Sequence, residues 1–472
     1  MTLNCLRSLR RTILLTLFGT LFLVNSSAQE LVGDWFGELP EEASSLKLVF
    51  HIDQKDGVLE GTMDSPYQGT FGLKLSSVKH EGEQVVFDLS IFKILFEGKF
   101  CAADSLKGFF RQGEMKFPLI LKKSEQPLPR KPIRPQDPKP PYPYKEKEVT
   151  FRNRSANISL AGTLTIPEGK GPFPAVVLIT GSGAQNRDEE FFGHKTFKVL
   201  ADHLTRKGIA VLRYDDRGVG KSEGDFVQAT TADFAFDAAS ALLYLRQQKK
   251  IDSDKIGLIG HSEGGTVATM VASADTQVRF VGLLAAPGIP MDELLLKQNA
   301  VTQELAGISS EETMISTELI RKFYDVLLKV PDQDSAKRAI EDLLLRHQQS
   351  MPKVIADEIA KQTPAIVANF LSPWFRYFIQ IDPKHYLKQI KCPVLAVNGS
   401  KDVQVAAIDN LMAIRKVLSE SGNKQAYTYI MPDLNHLMQH CETGEVSEYV
   451  LIEETFSAEL LNIISNWILN LY

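Results

Sequence analysis

The chain is poor in cysteine. It has four in 472 residues, and only Cys101, Cys392 and Cys441 lie beyond the first 28. An odd number with no Cys-x-x-Cys spacing argues against a disulfide framework and against a thiolate metal site. Three lone thiols in an exported chain are tolerable where they are buried. An excess of one charge is also lacking, with 53 Lys and Arg against 58 Asp and Glu, a net charge of -5. No Lys/Arg-rich run stands out, so neither nucleic acid nor an anionic membrane is an expected partner. There is no His-Glu-x-x-His, no phosphate-binding Gly-x-x-x-x-Gly-Lys and no paired histidine spacing outside residues 436–440. No metal or other cofactor is expected. Beyond the N-terminal segment, no apolar run is long enough to span a bilayer.

That segment is distinct. Arg7, Arg10 and Arg11 precede an apolar stretch at 13–24, broken only by Thr16, Gly19 and Thr20, and Ser26, Ser27 and Ala28 follow. This order predicts a signal peptide over residues 1–28, cut after Ala28, and export to the periplasm or the medium. The alternative is an uncleaved anchor, for which the run is short. The remainder has ample material for a core, since 44% of the chain is apolar and 24% charged. Its length implies two or three units.

Residues 29–124 read as short alternating strands, for example 46–52, 85–89 and 117–121. Turn signals at Asp56-Gly57, Glu81-Gly82 and Glu97-Gly98 punctuate them, which predicts a small all-β unit, sandwich or barrel. Gly33-Asp34-Trp35-Phe36-Gly37 resembles the opening strand of a lipocalin-like barrel. Eight prolines between 127 and 143 follow. Proline lacks an amide donor and fixes φ, so a semi-rigid linker is expected over 125–147. From 148 to 472 the pattern changes to continuous apolar strands at 175–179, 209–214, 256–259, 281–284 and 393–397, with helical periodicity at 234–246 and 408–418 between them. Strands buried on both faces imply a doubly wound, mostly parallel α/β sheet. About a hundred residues separate two of these strands. The apolar spacing of Leu319, Ile320, Phe323, Val326 and Leu327 predicts a helical cap at about 290–388.

The chemistry concentrates at Gly260-His261-Ser262-Glu263-Gly264-Gly265. A serine between glycines, after a β-rich run and before a small-residue helix, has the setting of a nucleophile elbow. Only glycine lets the backbones pass there, so Ser262 is the candidate nucleophile. A serine hydroxyl needs a base. His436 follows the apolar segment 427–431, at the strand end where doubly wound sheets place ligands; His440 is the competitor. His261 is expected to point away from the serine. The imidazole needs an orienting acid, and Asp402, just past the strand at 393–397, fits the order nucleophile, acid, base. Asp292 and Asp433 are the alternatives. One oxyanion donor is expected from the amide of Glu263. The other is expected from the loop 180–184, with Gly183 preferred and Ser182 second.

The loop Gly181-Ser182-Gly183-Ala184-Gln185-Asn186-Arg187-Asp188-Glu189 resembles that of esterase D-like α/β hydrolases. Residues 214–222, from Tyr214-Asp215-Asp216-Arg217 to Ser222, are similar to the D-x-R-G-x-G-x-S segment of many α/β hydrolases and serine aminopeptidase-type relatives. Ser372-Pro373-Trp374-Phe375-Arg376-Tyr377-Phe378 also resembles the esterase D-like group. The likeness runs from about 149 to 472. It implies an α/β-hydrolase fold with a helical cap, a small-molecule ester substrate and no cofactor. Together with the predicted export, the expected function is a secreted serine esterase. A peptidase or aminopeptidase using the same triad and a thioesterase stay open, as does an envelope- or glycan-binding protein. Arg217 is expected to buttress a loop, and Asp188, Glu189 and Glu190 to open a helix rather than bind a substrate ammonium.

Overall fold

The computed structural model describes residues 30–40, 46–66, 70–113, 115–125, 133–349 and 353–472. The expected signal peptide lies outside them. The chain divides into two compact units, one ending at Ile133 and the other beginning at Arg134.

The first unit is one antiparallel sheet. Its strands are β1 (Gly33–Glu38), β2 (Lys47–Lys55), β3 (Val58–Ser65), β4 (Thr70–Lys74), β5 (Ser77–Glu81), β6 (Gln84–Leu89), β7 (Ile94–Ala102), β8 (Ser105–Gln112) and β9 (Met115–Lys123). They lie in the order β4-β3-β2-β1-β9-β8-β7-β6-β5. The two edge strands are consecutive in the chain. Between them, the amides of Leu75 and Ser76 donate to the carbonyls of Gly61 in β3 and Asp88 in β6, so the sheet curls into a barrel-like shape. Asp56 and Gly57 have φ of 52° and 82° between the paired residues Lys55 and Val58. Two positive φ values make the primed turn that matches strand twist. Glu97-Gly98 is not a turn. It lies within β7, where Gly98 faces Gly108 of β8, and a methyl group on Gly108 would strike the Glu97 carbonyl. The glycine pair marks close strand approach rather than chain reversal. Leu48, Phe50, Ile52, Phe87 and Phe96 fill the interior. Cys101 is exposed, contrary to the expectation of buried thiols, whereas Cys392 and Cys441 are half-buried.

The stretch expected to be a linker over 125–147 is only partly one. Residues 126–132 lie outside those described. Arg134 donates to the carbonyls of Phe192, Val450 and Ile452 at 2.8–2.9 Å. Gln136 donates to Phe456 and accepts from the amides of Thr455 and Phe456. Chain held by six hydrogen bonds is part of the second unit. The sheet of that unit already begins at Tyr144, because the last proline, Pro143, no longer withholds an amide.

The second unit has an eight-stranded sheet. It comprises β10 (Tyr144–Asn153), β11 (Ile158–Pro167), β12 (Phe173–Ile179), β15 (Ala210–Tyr214), β16 (Ile251–His261), β17 (Val281–Leu284), β18 (Val394–Gly399) and β19 (Ala426–Met431). A small hairpin, β13 (Glu190–Phe191) with β14 (His194–Lys195), stands apart. The order is β10-β11-β15-β12-β16-β17-β18-β19. From β15 to β19 every neighbour is parallel, and β10, β11 and β15 are joined antiparallel. This is the α/β-hydrolase arrangement. Alternate residues of β12 feed two cores, Ala175, Val177 and Ile179 on one face and Val176 and Leu178 on the other. Helices cover both faces, which explains the unbroken apolar runs.

Between β17 and β18 the chain forms helices Met291–Leu305, Ser310–Lys329, Gln333–Gln348, Lys353–Phe370, Pro373–Phe378 and Lys384–Leu387. Ser309 and Glu312 form a reciprocal capping box, and Asp332 and Ser372 cap the helices that follow them. Such caps satisfy amides that a helix start leaves open. The insertion has its own core around Phe323, Tyr324, Leu327, Ile340 and Leu344. Among the described residues no helix is long and apolar enough to cross a membrane.

Candidate active site

Strand β16 ends at His261, and Ser262 turns the chain with φ 53° and ψ −122° into the helix Glu263–Ala274. A non-glycine residue in this region is strained. Its surroundings hold it there. The Ser262 amide donates to Leu284 and its carbonyl accepts from Gly265, at 2.8 and 2.9 Å. A methyl group on Gly260 would strike the Gly264 carbonyl, and one on Gly264 would strike the carbonyls of Ile179 and Thr180. The glycines are therefore a steric requirement of the elbow.

His436 lies in the loop after β19, buried, with Nδ1 2.8 Å from Asp402 Oδ2. Asp402 Oδ1 accepts from the amides of Gln404 and Val405 at 2.9 and 2.8 Å. A carboxylate so held accepts a hydrogen bond from the Nδ1–H of the imidazole, which leaves Nε2 as the basic nitrogen. Buried Asn435 braces the loop, accepting from the amides of Leu437 and Gln439 at 3.0 Å each. The competitors fall away on geometry. His440 is exposed and bonded to Glu454 at 2.7 Å. Asp433 is exposed beside Lys401, and Asp292 lies in the first turn of an insertion helix.

Ser262 and His436 line one cavity of about 250 Å³. The insertion supplies much of its apolar wall through Leu294, Leu295, Trp374 and Phe378. Of the two loop residues considered as oxyanion donors, Ser182 lines this cavity. Gly183 instead faces a smaller one behind it, turning at φ 96°. The Gly181 amide is committed to Glu189 Oε1 at 2.9 Å.

Four side chains to which sequence reasoning gave no part in the chemistry line this cavity or the smaller one beside it. Glu189 does not open a helix, since the next helix starts at Thr196. It is buried with φ 48°, and its Oε1 also meets His261 Nδ1 at 2.9 Å. His261 does not point away. Its ring lies 4.8 Å from that of His436, and its Nε2 is 2.9 Å from the His436 carbonyl. Burial opposes protonation of His261, but the charge and hydrogen bond of Glu189 outweigh it and raise the pKa. The Glu263 carboxylate accepts from Ser182 Oγ and Thr231 Oγ1 at 2.7 Å, and from Trp374 Nε1 at 2.9 Å. Burial raises its pKa against those three donors. Asp216, below the same loop, accepts from Thr180 Oγ1 and the Gln185 amide. Burial, aided by the charges of Glu189 and Glu263, pushes it up to about 8. The only sequence signal for this group was that His261 and Glu263 stand beside the glycines of the elbow.

Arg217 does brace its loop, with Nε 2.6 Å from Asp237 Oδ2 and a second donation to the Asp233 carbonyl. Arg187 holds Asp215 through Nε and a second nitrogen at 2.9 and 2.7 Å. Both arginines are consumed by structure.

Residues 157–436 match the family model of X-Pro dipeptidyl-peptidase (S15 family). The chain is 28% identical over 302 residues to esterase EstD of Thermotoga maritima, a match covering 63% of this chain and 61% of that protein. It is 30% identical over 155 residues to thiohydrolase aneE of Aspergillus aculeatus, covering 33% and 45%. The chain thus spans less than two thirds of either relative's length. Among solved structures, the esterase Pf2001 of Pyrococcus furiosus aligns over 69% of this chain and 93% of its own, with 16% identity and a TM-score of 0.41. The α/β hydrolase GrgF of a Penicillium species aligns over 69% and 98%, with 16% identity and a TM-score of 0.43. The family match covers more than half of the chain, which belongs to the X-Pro dipeptidyl-peptidase (S15) family of the α/β-hydrolase superfamily.

Proposed function

We propose that the protein is an exported serine esterase acting on small carboxylic esters. The observation that carries the reading is the strand-end placement of Ser262 and His436 on one cavity, with Asp402 2.8 Å behind the imidazole. Ser262 Oγ attacks the ester carbonyl while His436 Nε2 takes its proton. Asp402 holds the ring and stabilises the imidazolium. The amide of Glu263, at the positive end of its helix, and that of Ser182 stabilise the oxyanion, a contribution of roughly 3–4 kcal/mol for one such donor. His436 then gives its proton to the leaving alcohol. Water, activated by the same base, releases the acyl group.

An apolar wall of Leu294, Leu295 and Phe378 suits an acyl chain. Export rests on the order of basic, apolar and small residues in 1–28, and N-terminal sequencing of the secreted chain should begin at Gln29. The decisive experiment is p-nitrophenyl butyrate hydrolysis by the parent and Ser262→Ala. Loss of turnover on the order of 10⁶-fold is expected from serine hydrolases whose nucleophile has been removed. Turnover retained by the variant would overturn the assignment.

A second reading, a peptidase acting at a free N-terminus, has one observation in its favour besides the family match. Glu189 Oε2 is buried at the cavity wall with no hydrogen-bond partner among the described residues. A substrate ammonium would satisfy it. Under that reading an aminoacyl p-nitroanilide is cleaved faster than the corresponding ester, after allowing for leaving groups. Glu189→Gln then raises KM for the anilide and not for butyrate.

A further inference from the structure

Phe191 and Tyr449 both line the catalytic cavity, and neither belongs to the insertion. Phe191 sits in the β13–β14 hairpin, where it pairs with His194. Phe192 and Gly193 turn that hairpin with φ of 50° and 77°, the two positive values of a primed turn. Tyr449 comes after the catalytic histidine in the chain and is fully buried. Its hydroxyl accepts from Gln404 Nε2 at 3.2 Å, and the Gln404 amide is one of the two that hold Asp402. This part of the wall therefore stands next to the triad.

A hairpin of two residue pairs cannot hold itself in water, so the wall needs anchors from outside. Packing gives one: the Phe192 ring meets those of Phe191 and Tyr449 edge-on, at 4.6 and 6.5 Å. His194 gives a second. Its Nε2 donates to the Tyr449 carbonyl at 2.7 Å, and its Nδ1 accepts from Thr455 Oγ1 at 3.0 Å. Burial pushes its pKa down to about 4, so the ring stays neutral and keeps one donor and one acceptor.

The third anchor comes from the very start of the unit. Arg134 Nη2 donates to the Phe192 carbonyl at the hairpin turn and to the Val450 carbonyl beside Tyr449, at 2.9 Å each. Its Nη1 donates to the Ile452 carbonyl at 2.8 Å. One rigid planar fork thus joins two segments that are far apart in sequence, which the single ammonium of a lysine could not reproduce. Two positions on, Gln136 grips the same stretch through both ends of its amide, donating to the Phe456 carbonyl and accepting from the amides of Thr455 and Phe456. A connector that only joined two units would need none of these bonds.

We infer that residues 134–136 are a strap that sets the Phe191–Tyr449 wall of the catalytic cavity, and that Arg134 is a positioning residue for the substrate. Arg134 is not among the residues that line the cavity; it acts through the two segments it joins. The effect on substrate rests on the esterase reading, whereas the hold on the wall does not.

The test compares the full chain with Arg134→Ala, first by hydrogen exchange read by mass spectrometry. Peptides over 188–195 and 446–456 should exchange about tenfold faster in the variant, while the elbow at 257–266 keeps the parent rate. Unchanged exchange in both peptides would overturn the strap. Should Arg134→Ala fail to fold, Arg134→Lys should loosen the same two peptides. Kinetics with p-nitrophenyl butyrate read the consequence. Arg134→Ala should raise KM about fivefold, a larger change than in kcat, whereas partial unfolding would lower apparent kcat and leave KM alone. Phe191→Ala should raise KM as well, and adding Arg134→Ala to it should raise KM by less than about twofold more, because the wall being set is already gone. An unchanged KM in Arg134→Ala, or KM effects that multiply in the double variant, would overturn the positioning role. Absence of turnover in the parent would overturn the esterase reading instead, and the exchange rates alone would then decide the strap.

Discussion

Two cavities of nearly equal volume, about 250 and 270 Å³, occupy the two units, and their walls could hardly differ more. The one at the end of the parallel sheet is walled by Ser262, His436, His261, Glu189 and Glu263, with apolar residues on the insertion side. Among the described residues, the one in the barrel is lined by no titratable side chain. Acyl transfer needs charge moved and held, and burial strengthens every such interaction while making unpaired groups costly. Hence the carboxylates around the first site accept from neighbouring donors, Glu189 Oε2 excepted, whereas the described wall of the second is mostly apolar. The barrel has its own titratable node. Fully buried His51 lies 2.7 Å from Asp34 and 2.9 Å from Asp64. Burial opposes its protonation, but the two aspartates win and raise its pKa.

The contrast predicts effects that fall on one unit and spare the other. The largest is loss of the nucleophile: Ser262→Ala should abolish ester turnover and leave the calorimetric unfolding of the first unit unchanged. Next is Asp402→Asn, expected to lower kcat about 10⁴-fold because the imidazole is then held in the wrong tautomer. Steady-state kinetics would check it, and a loss below tenfold would favour another acid.

Third is His51→Leu. It leaves two buried carboxylates facing each other and should destabilise the first unit by about 3–5 kcal/mol, seen by calorimetry, with kcat unchanged. Because the folded pKa of His51 is raised, its contribution is full below the unfolded value and fades as pH rises through the folded one. The parent's first unit should therefore lose stability with rising pH, and the variant should not share that loss.

The fourth effect is a pH slope and concerns Asp216. It keeps its proton to about pH 8 in the folded chain but releases it near 4 when unfolded. Between those values the folded state binds more protons, so stability falls as pH rises. Asp216→Asn should flatten that slope in melts from pH 4 to 8, whatever its absolute stability. An unchanged slope would mean that Asp216 does not titrate in that interval.

Much of the second unit was legible in the sequence because its signals are local. The runs at 175–179 and 281–284 are continuous because both faces of those strands are covered. The helical face 319–327 repeats with the helix period, and Leu327 and Phe323 do face the insertion core. The antiparallel strands β10 and β11 went unseen. Exposed Lys145, Glu146 and Lys147 in β10 break any apolar run, and proline density drew attention to a linker. Glu97-Gly98 was misread for a related reason, since a glycine that reverses the chain and one that admits a neighbouring strand look alike without the partner.

By itself the sequence determined where chemistry could be carried: a glycine-flanked serine after a strand, an aspartate after a later one and a histidine after the last. Periodicity and turn stereochemistry act between near neighbours, so a linear reading captures them. Only the tertiary structure decided what surrounds these groups. Trp374 reaches Glu263 across 111 residues of chain, and Glu189 meets His261 across 72. Such contacts depend on how loops close over the sheet, and no spacing in the chain encodes them. The cavity in the barrel is of the same kind, a space between strands that only their joint curvature defines.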